Sequence, residues 1–111
     1  MGDPHPVIPR RLATQDLRDA AVHYASEVDP ATARRFIDAV EQAFTLIARQ
    51  PAIGSPRYAV ELDLPGLRAR PVEQFPYLIF YLEHDDHIDV LRILHARRDM
   101  PTSLQDPAED T

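Results

Sequence analysis

There is no cysteine in this chain of 111 residues. That absence excludes structural disulfides, thiolate metal sites and thiol nucleophiles, and it fits a reducing compartment. Lysine is missing too: all twelve basic residues are arginine, set against eighteen acidic ones, for a formal net charge of −6. An acidic chain is on average repelled by phosphate, so non-specific nucleic-acid binding is disfavoured unless the arginines converge on one face, and a protein partner is the better expectation. With only three glycines there is no glycine-rich phosphate loop. Long hydrophobic runs are also lacking. The longest, Tyr77 to Leu82, is far too short to span a bilayer, and MGDPHPVIPRR at the N-terminus has no apolar signal-type segment. The cytoplasm is the expected compartment, with no membrane association.

What is present is enough for one domain. Hydrophobic residues make up 44% of the chain, and its length is close to the commonest for a single core. Residues 1–6 hold two prolines and a glycine, and residues 105–111, QDPAEDT, are polar and acidic, so both are expected to be tails around a domain over 7–104. Val7 to Arg11 reads as a short first strand, and Pro9, which has no amide hydrogen, places it at a sheet edge. From Ala13 to Val28 apolar residues recur every three or four positions, the pattern of an amphipathic helix.

Asp29-Pro30 then starts a second helix, because aspartate accepts free first-turn amides and proline tolerates the first helical position. Its stripe runs through Ala33, Phe36, Ile37, Val40, Phe44 and Ile47, and Pro51 and Gly54 end it. After a loop with Gly54, Pro56, Pro65 and Gly66, three strands are predicted over Leu67–Val72, Tyr77–Glu83 and His87–Leu94, the last two joined by the polar turn Asp85-Asp86. The order predicts an α+β domain: an N-terminal edge strand and an antiparallel helical hairpin packed on a mainly antiparallel sheet.

The residue types that carry chemistry are sparse. Five histidines invite a metal reading, but His5 is in a tail, His23 on a helix, and His84 and His87 flank an acidic turn with Asp85, Asp86 and Asp89; no pair has zinc-motif spacing beside a third convincing ligand, so no metal is expected. Ser26, Ser55 and Ser103 lack an elbow motif, no carboxylate pair stands out for acid–base work, and no cofactor or catalytic residue is expected. Arginine remains. Arg68 and Arg70 share one face of a strand, Arg92 lies on the last strand, and Arg97 and Arg98 follow its end. They either converge into a patch for carboxylates or phosphates, or pair singly with acidic residues on a solvated surface. The aromatic residues of YLIFYLE offer a stacking platform on one reading, and a central core strand with both faces covered on the other, which is favoured.

The ordered segments ATQDLRDAAVHYASEVDPATARRFIDAVEQAFTLIARQPAIG and LPGLRARPVEQFPYLIFYLEHDDHIDVLRILHARRDMPTSL closely resemble the RelE/ParE superfamily of type II toxins, and its ParE branch in particular. The most telling pieces are Arg49-Gln50-Pro51-Ala52-Ile53-Gly54, the strand Tyr77 to Tyr81, and the ending Ile93 to Asp99. The resemblance implies the same strand, helical hairpin and three-stranded sheet.

It also implies one of two activities: ribosome-dependent messenger cleavage in RelE-type members, or inhibition of DNA gyrase in ParE-type members. The nuclease set is poorly represented, since lysine is absent, Leu78 follows Tyr77 where ribosome-dependent relatives tend to have arginine, and Thr102-Ser103-Leu104 stands where a C-terminal tyrosine would be. His95 remains as an isolated acid or base, and Arg97 as a retained arginine.

The expectation is therefore a ParE-like gyrase inhibitor that arrests growth by binding, is neutralised by a ParD-like antitoxin, serves plasmid stabilisation, and makes no direct specific contact with nucleic acid. A RelE-type endoribonuclease and a non-toxic antitoxin-binding module are the alternatives. Arg68, Arg70, His95, Arg97 and Arg98 are the candidates for the target-facing surface, and Leu17, Tyr24, Phe36, Val40 and Phe44 for antitoxin binding through the hairpin.

Overall fold

The computed structural model describes residues 4–99. The expected domain end at residue 104, the segment 105–111 and the Thr102-Ser103-Leu104 position lie outside the described residues. Strand β1 (Val7–Pro9) leads into helix α1 (Arg11–Glu27) and helix α2 (Pro30–Arg49). A 3₁₀ turn (Pro51–Ile53) and a short helix α3 (Arg57–Glu61) follow, then strands β2 (Arg68–Pro71), β3 (Tyr77–Glu83) and β4 (Ile88–His95).

The four strands form one sheet in the order β1-β4-β3-β2. The last three are antiparallel, whereas β1 pairs in parallel with β4, Val7 opposite Ile88. Pro9 sits on the outer edge, where its missing amide costs no ladder bond. The expected α+β architecture, a helical hairpin on a mainly antiparallel sheet, is the one observed.

The helices start and stop for identifiable reasons. At the head of α2 the Asp29 carboxylate accepts the Thr32 amide at 2.7 Å, and Pro30 takes the first helical position. The hydrogen bonds from Thr32, chiefly that of its amide, hold the Asp29 carboxyl below its ordinary value. Two residues, Val28 and Asp29, join the helices, and the Val28 amide closes α1 by donating to the Tyr24 carbonyl at 2.9 Å. So short a link forces the helices to lie antiparallel side by side.

Alternation along the strands then places the core. On the helix side Ala13, Ala20, Phe36, Val40 and Ile47 meet Tyr77, Ile79, Tyr81, Ile88, Val90 and Ile93. An aromatic cluster seals one end of this layer: the rings of Tyr24, Phe36, Phe75 and Tyr77 meet edge to face or tilted, with centroid separations from 5.1 to 6.3 Å.

The opposite sheet face is also covered, by a layer that the sequence pattern did not resolve into structure. Leu67, Ala69, Phe80 and Leu94 pack under Tyr58, Leu62 and Leu64. Those three residues belong to α3 and the turns after it, in the stretch expected to be a loop. Five residues of helix are too few to show an amphipathic period, and flanking proline and glycine obscure them further. With this second layer both faces of the inner strand β3 are covered, and Phe80 and Tyr81 are both fully buried, as the uninterrupted YLIFYLE run predicts.

Candidate functional site

Two tyrosines on β3 organise the two ends of the helix-facing layer. At one end the Tyr81 hydroxyl donates to the Pro51 carbonyl at 2.6 Å and accepts the Gly54 amide at 2.8 Å. Burial pushes the Tyr81 hydroxyl's pKa up, against the lowering influence of the Gly54 amide and the Arg68 charge. Arg68 Nη1 donates to the carbonyls of Ala52 and Gly54, at 3.2 and 2.8 Å.

These contacts give the segment RQPAIG a physical reason. A side chain at Gly54 would put its Cβ 2.6 Å from the Tyr81 oxygen and 3.0 Å from Arg68 Cβ, so only glycine fits while the clamp is closed. Arg68 is thus part of a backbone lock at the end of α2.

At the other end of β3, Tyr77 stands opposite His95 in the register, and their rings meet edge to face at 5.3 Å. The chain turns sharply here, and its side chains hold the turn. His95 Nδ1 accepts the amides of Arg97 and Arg98 at 3.2 and 3.1 Å, and Asp99 accepts the His95 amide at 2.9 Å. Arg98 donates to the Tyr77 hydroxyl at 3.1 Å and lies 3.5 Å from Asp99. Nδ1 must keep its lone pair to accept both amides, so only the Nε2 side of this imidazole faces outward chemistry. The Arg97 side chain is exposed and makes no hydrogen bond or ion pair among the described residues.

Between this turn and α1 lies a cleft of about 360 Å³, lined by Asp16, Asp19, His23, Tyr77, Arg92 and Arg98 among others. Its floor is made where β1 stops. Beyond Pro9 no strand of the described residues pairs with the edge of β4, and Asp16 on α1 takes over. The Asp16 carboxylate accepts the Ile93 amide at 3.0 Å and grips the Arg92 guanidinium in a two-point contact at 2.8 and 3.0 Å. Such a fork-to-fork pair fixes orientation as well as charge.

The five target-facing candidates therefore do not form one patch. His95, Arg97 and Arg98 come together at the sheet end, while Arg68 and Arg70 share the helix-facing side of β2, two strands away. From strand spacing the Arg68 and His95 backbones are roughly 16 Å apart. Arg70 lines a separate hollow beneath α2 with Arg49 and Glu73.

Among the hairpin candidates, Phe36 and Val40 have no exposed surface, so a partner reaches them only by opening the helix–sheet layer. Leu17, Tyr24 and Phe44 are partly buried against the same core and keep an outer edge. The sequence reading did not single out Asp16, Asp19 or Tyr77 for the cleft. Asp16 and Arg92 are 76 positions apart, and neither belongs to a motif that would have signalled the pair.

The described fold resembles a chain of the chromosomal ParDE TA system from P. aeruginosa with a TM-score of 0.71, at 20% identity, over 84% of this chain and 97% of that one. No curated protein sequence matches. The family described as the ParE toxin of the type II toxin–antitoxin system, parDE, matches residues 7–100, from the first strand to just past the Arg97-Arg98-Asp99 turn. Since that match takes in nearly every element of the fold, the chain belongs to the ParE toxin family.

Proposed function

We propose that this toxin acts in the cytoplasm by binding DNA gyrase and stalling its strand-passage cycle, and that a ParD-like antitoxin holds it in check. The observation that carries the reading is the self-bonded turn at the end of β4. It presents Arg97 outward on a rigid support and leaves little free for catalysis. Messenger cleavage by attack of a 2′-hydroxyl needs a base, an acid and groups that stabilise phosphate charge.

Here His95 Nδ1 is engaged by two backbone amides, Arg68 by two carbonyls, and Leu78 packs against the second core layer. A surface that recognises a protein target is the use that remains. The antitoxin would fold a segment over the hairpin. Leu17, Tyr24 and Phe44 offer partly covered apolar edges there, and Val22 and Val28 on the α1 side are exposed. The acidic net charge gives little long-range attraction to an acidic antitoxin tail, so apolar burial and local arginines would carry affinity.

The test pairs a gyrase supercoiling and cleavage assay with a ribosome-dependent messenger cleavage control, using purified toxin. Inhibited supercoiling or trapped cleaved DNA with intact message is the expected result. Arg97→Ala should abolish that inhibition while leaving the melting temperature unchanged, because the side chain is exposed and unpaired among the described residues. Cut message with unaffected gyrase would overturn the reading in favour of a nuclease. Inactivity in both assays, together with tight antitoxin binding and no growth arrest on expression, would identify a non-toxic binding module.

A further inference from the structure

The β3–β4 turn at the far end of the sheet gathers a second group of polar side chains, and these differ from a merely solvated acidic turn. The turn is tight: the His84 amide donates to the His87 carbonyl at 2.8 Å, with Asp85-Asp86 between them. The two imidazoles stack with centroids 4.6 Å apart and planes 16° from parallel. Asp89, on β4 opposite Leu82, completes the group. His84 Nε2 is 3.0 Å from Asp89 Oδ2, and His87 Nε2 is 3.5 Å from Asp89 Oδ1. Asp89 is the third donor that sequence spacing did not supply, because only the hairpin register brings it beside both rings.

We propose that His84 Nε2, His87 Nε2 and the Asp89 carboxylate bind one divalent transition-metal ion of the zinc class. Three observations carry this. The donor atoms all lie within 4.8 Å of one another. Zinc bonds of ~2.0–2.1 Å in a tetrahedron set neighbouring donors about 3.3 Å apart, so the donors are near the required spacing, and the two stacked rings would rotate apart to aim both lone pairs at one ion.

The second observation is the partner of the other nitrogen. His87 Nδ1 lies 2.7 Å from Asp86 Oδ1. That contact places a proton on Nδ1 and leaves Nε2, turned towards Asp89, as the nitrogen available to a metal. A carboxylate behind a ligating imidazole is the usual outer support of a metal site, orienting the ring and raising its basicity.

The third observation concerns the surroundings. Arg10 holds Asp89 Oδ2 at 2.9 Å, which leaves Oδ1 to ligate while the guanidinium supports the carboxylate from outside. His5 stands at the same corner, since the carbonyl of adjoining Pro6 accepts the Ile88 amide at 2.9 Å, and its Nδ1 is buried without a hydrogen-bond partner among the described residues. Two imidazoles and a carboxylate favour zinc, cobalt or nickel over magnesium or calcium, which want oxygen. A bound ion would tie the hairpin tip together and, through Asp89 and Arg10, fasten β1 to it.

The experiment uses full-length, tag-free protein stripped with a chelator and titrated calorimetrically with Zn²⁺ alone, with Co²⁺ absorption reporting the ligand field. One saturable equivalent is expected, with a raised melting temperature and no response to Mg²⁺. The double variant H84Q/H87Q should lose the equivalent while melting like the wild type in chelator, which separates lost ligands from lost fold. Asp86→Asn should keep the site but weaken it roughly tenfold or more. Absence of saturable binding would overturn the proposal, as would one equivalent that survives H84Q/H87Q. Both outcomes are independent of whether gyrase is the target.

Discussion

Tyr81 and Tyr77 lie on the same strand, face the same helical layer and are both nearly or wholly buried, yet they end in opposite kinds of contact. The Tyr81 hydroxyl is satisfied by two backbone groups of the segment after α2. The Tyr77 hydroxyl receives the side chain of Arg98, itself mostly exposed and part of a turn held by His95 and Asp99. One end of the sheet is locked by main chain and tolerates almost no change. The other is assembled from side chains and can vary without disturbing the core, which is the property a recognition surface needs.

The strongest way to break this contrast is at Gly54. Gly54→Ala drives a Cβ into the Tyr81 ring and hydroxyl, and it should cost about 3 kcal/mol of unfolding free energy in denaturant titrations. A cost near zero would mean that the clamp is not closed in solution.

Next comes Asp16→Asn, which weakens the grip on Arg92 and the hold on the unpaired edge of β4. It should cost about 2 kcal/mol, since both partners are largely shielded from water. Sharpening the contrast calls for the matched pair Tyr81→Phe and Tyr77→Phe. The first strands the buried Gly54 amide and should cost about 1–2 kcal/mol, whereas the second frees an arginine that water can solvate and should cost under about 1 kcal/mol. Equal losses would remove the distinction between the two ends.

Asp29→Ala should have the smallest effect and a characteristic pH dependence. The native Asp29 carboxyl is held below its ordinary value by the Thr32 amide, so its stabilising contribution is full above the unfolded-state value and fades as pH falls through the depressed native one. Melting curves of variant and wild type should differ at neutral pH and converge in acid.

Much of the fold was legible because its signals are local. The helical stripe, the Asp29-Pro30 start, Pro9 at an edge and the Asp85-Asp86 turn each need only neighbours in sequence. What was not legible depends on distant pairing. The alternation of β2 shows that Arg68 and Arg70 share a face, but not that the face lies beneath the helices, where Arg68 meets carbonyls 14 and 16 positions away. The same holds for the candidate site, where the sequence located the ending His95 to Asp99 but not the Asp16–Arg92 grip beside it. Phe36 and Val40 show a further limit, since periodicity marks the apolar stripe of a helix without dividing residues that fill the core from those left for a partner.

The parallel pairing of β1 with β4 has a temporal consequence. Arg10, just after the first strand, is joined to Asp89 across 79 positions, so β1 cannot dock until β4 has been made. Closing so long a loop carries an entropic cost, and the pairing that completes the sheet therefore comes late in folding. The cleft beside Asp16 and the turn at His95 both depend on β4. A chain interrupted before that strand would lack both surfaces, so neither exists until β4 has been synthesised.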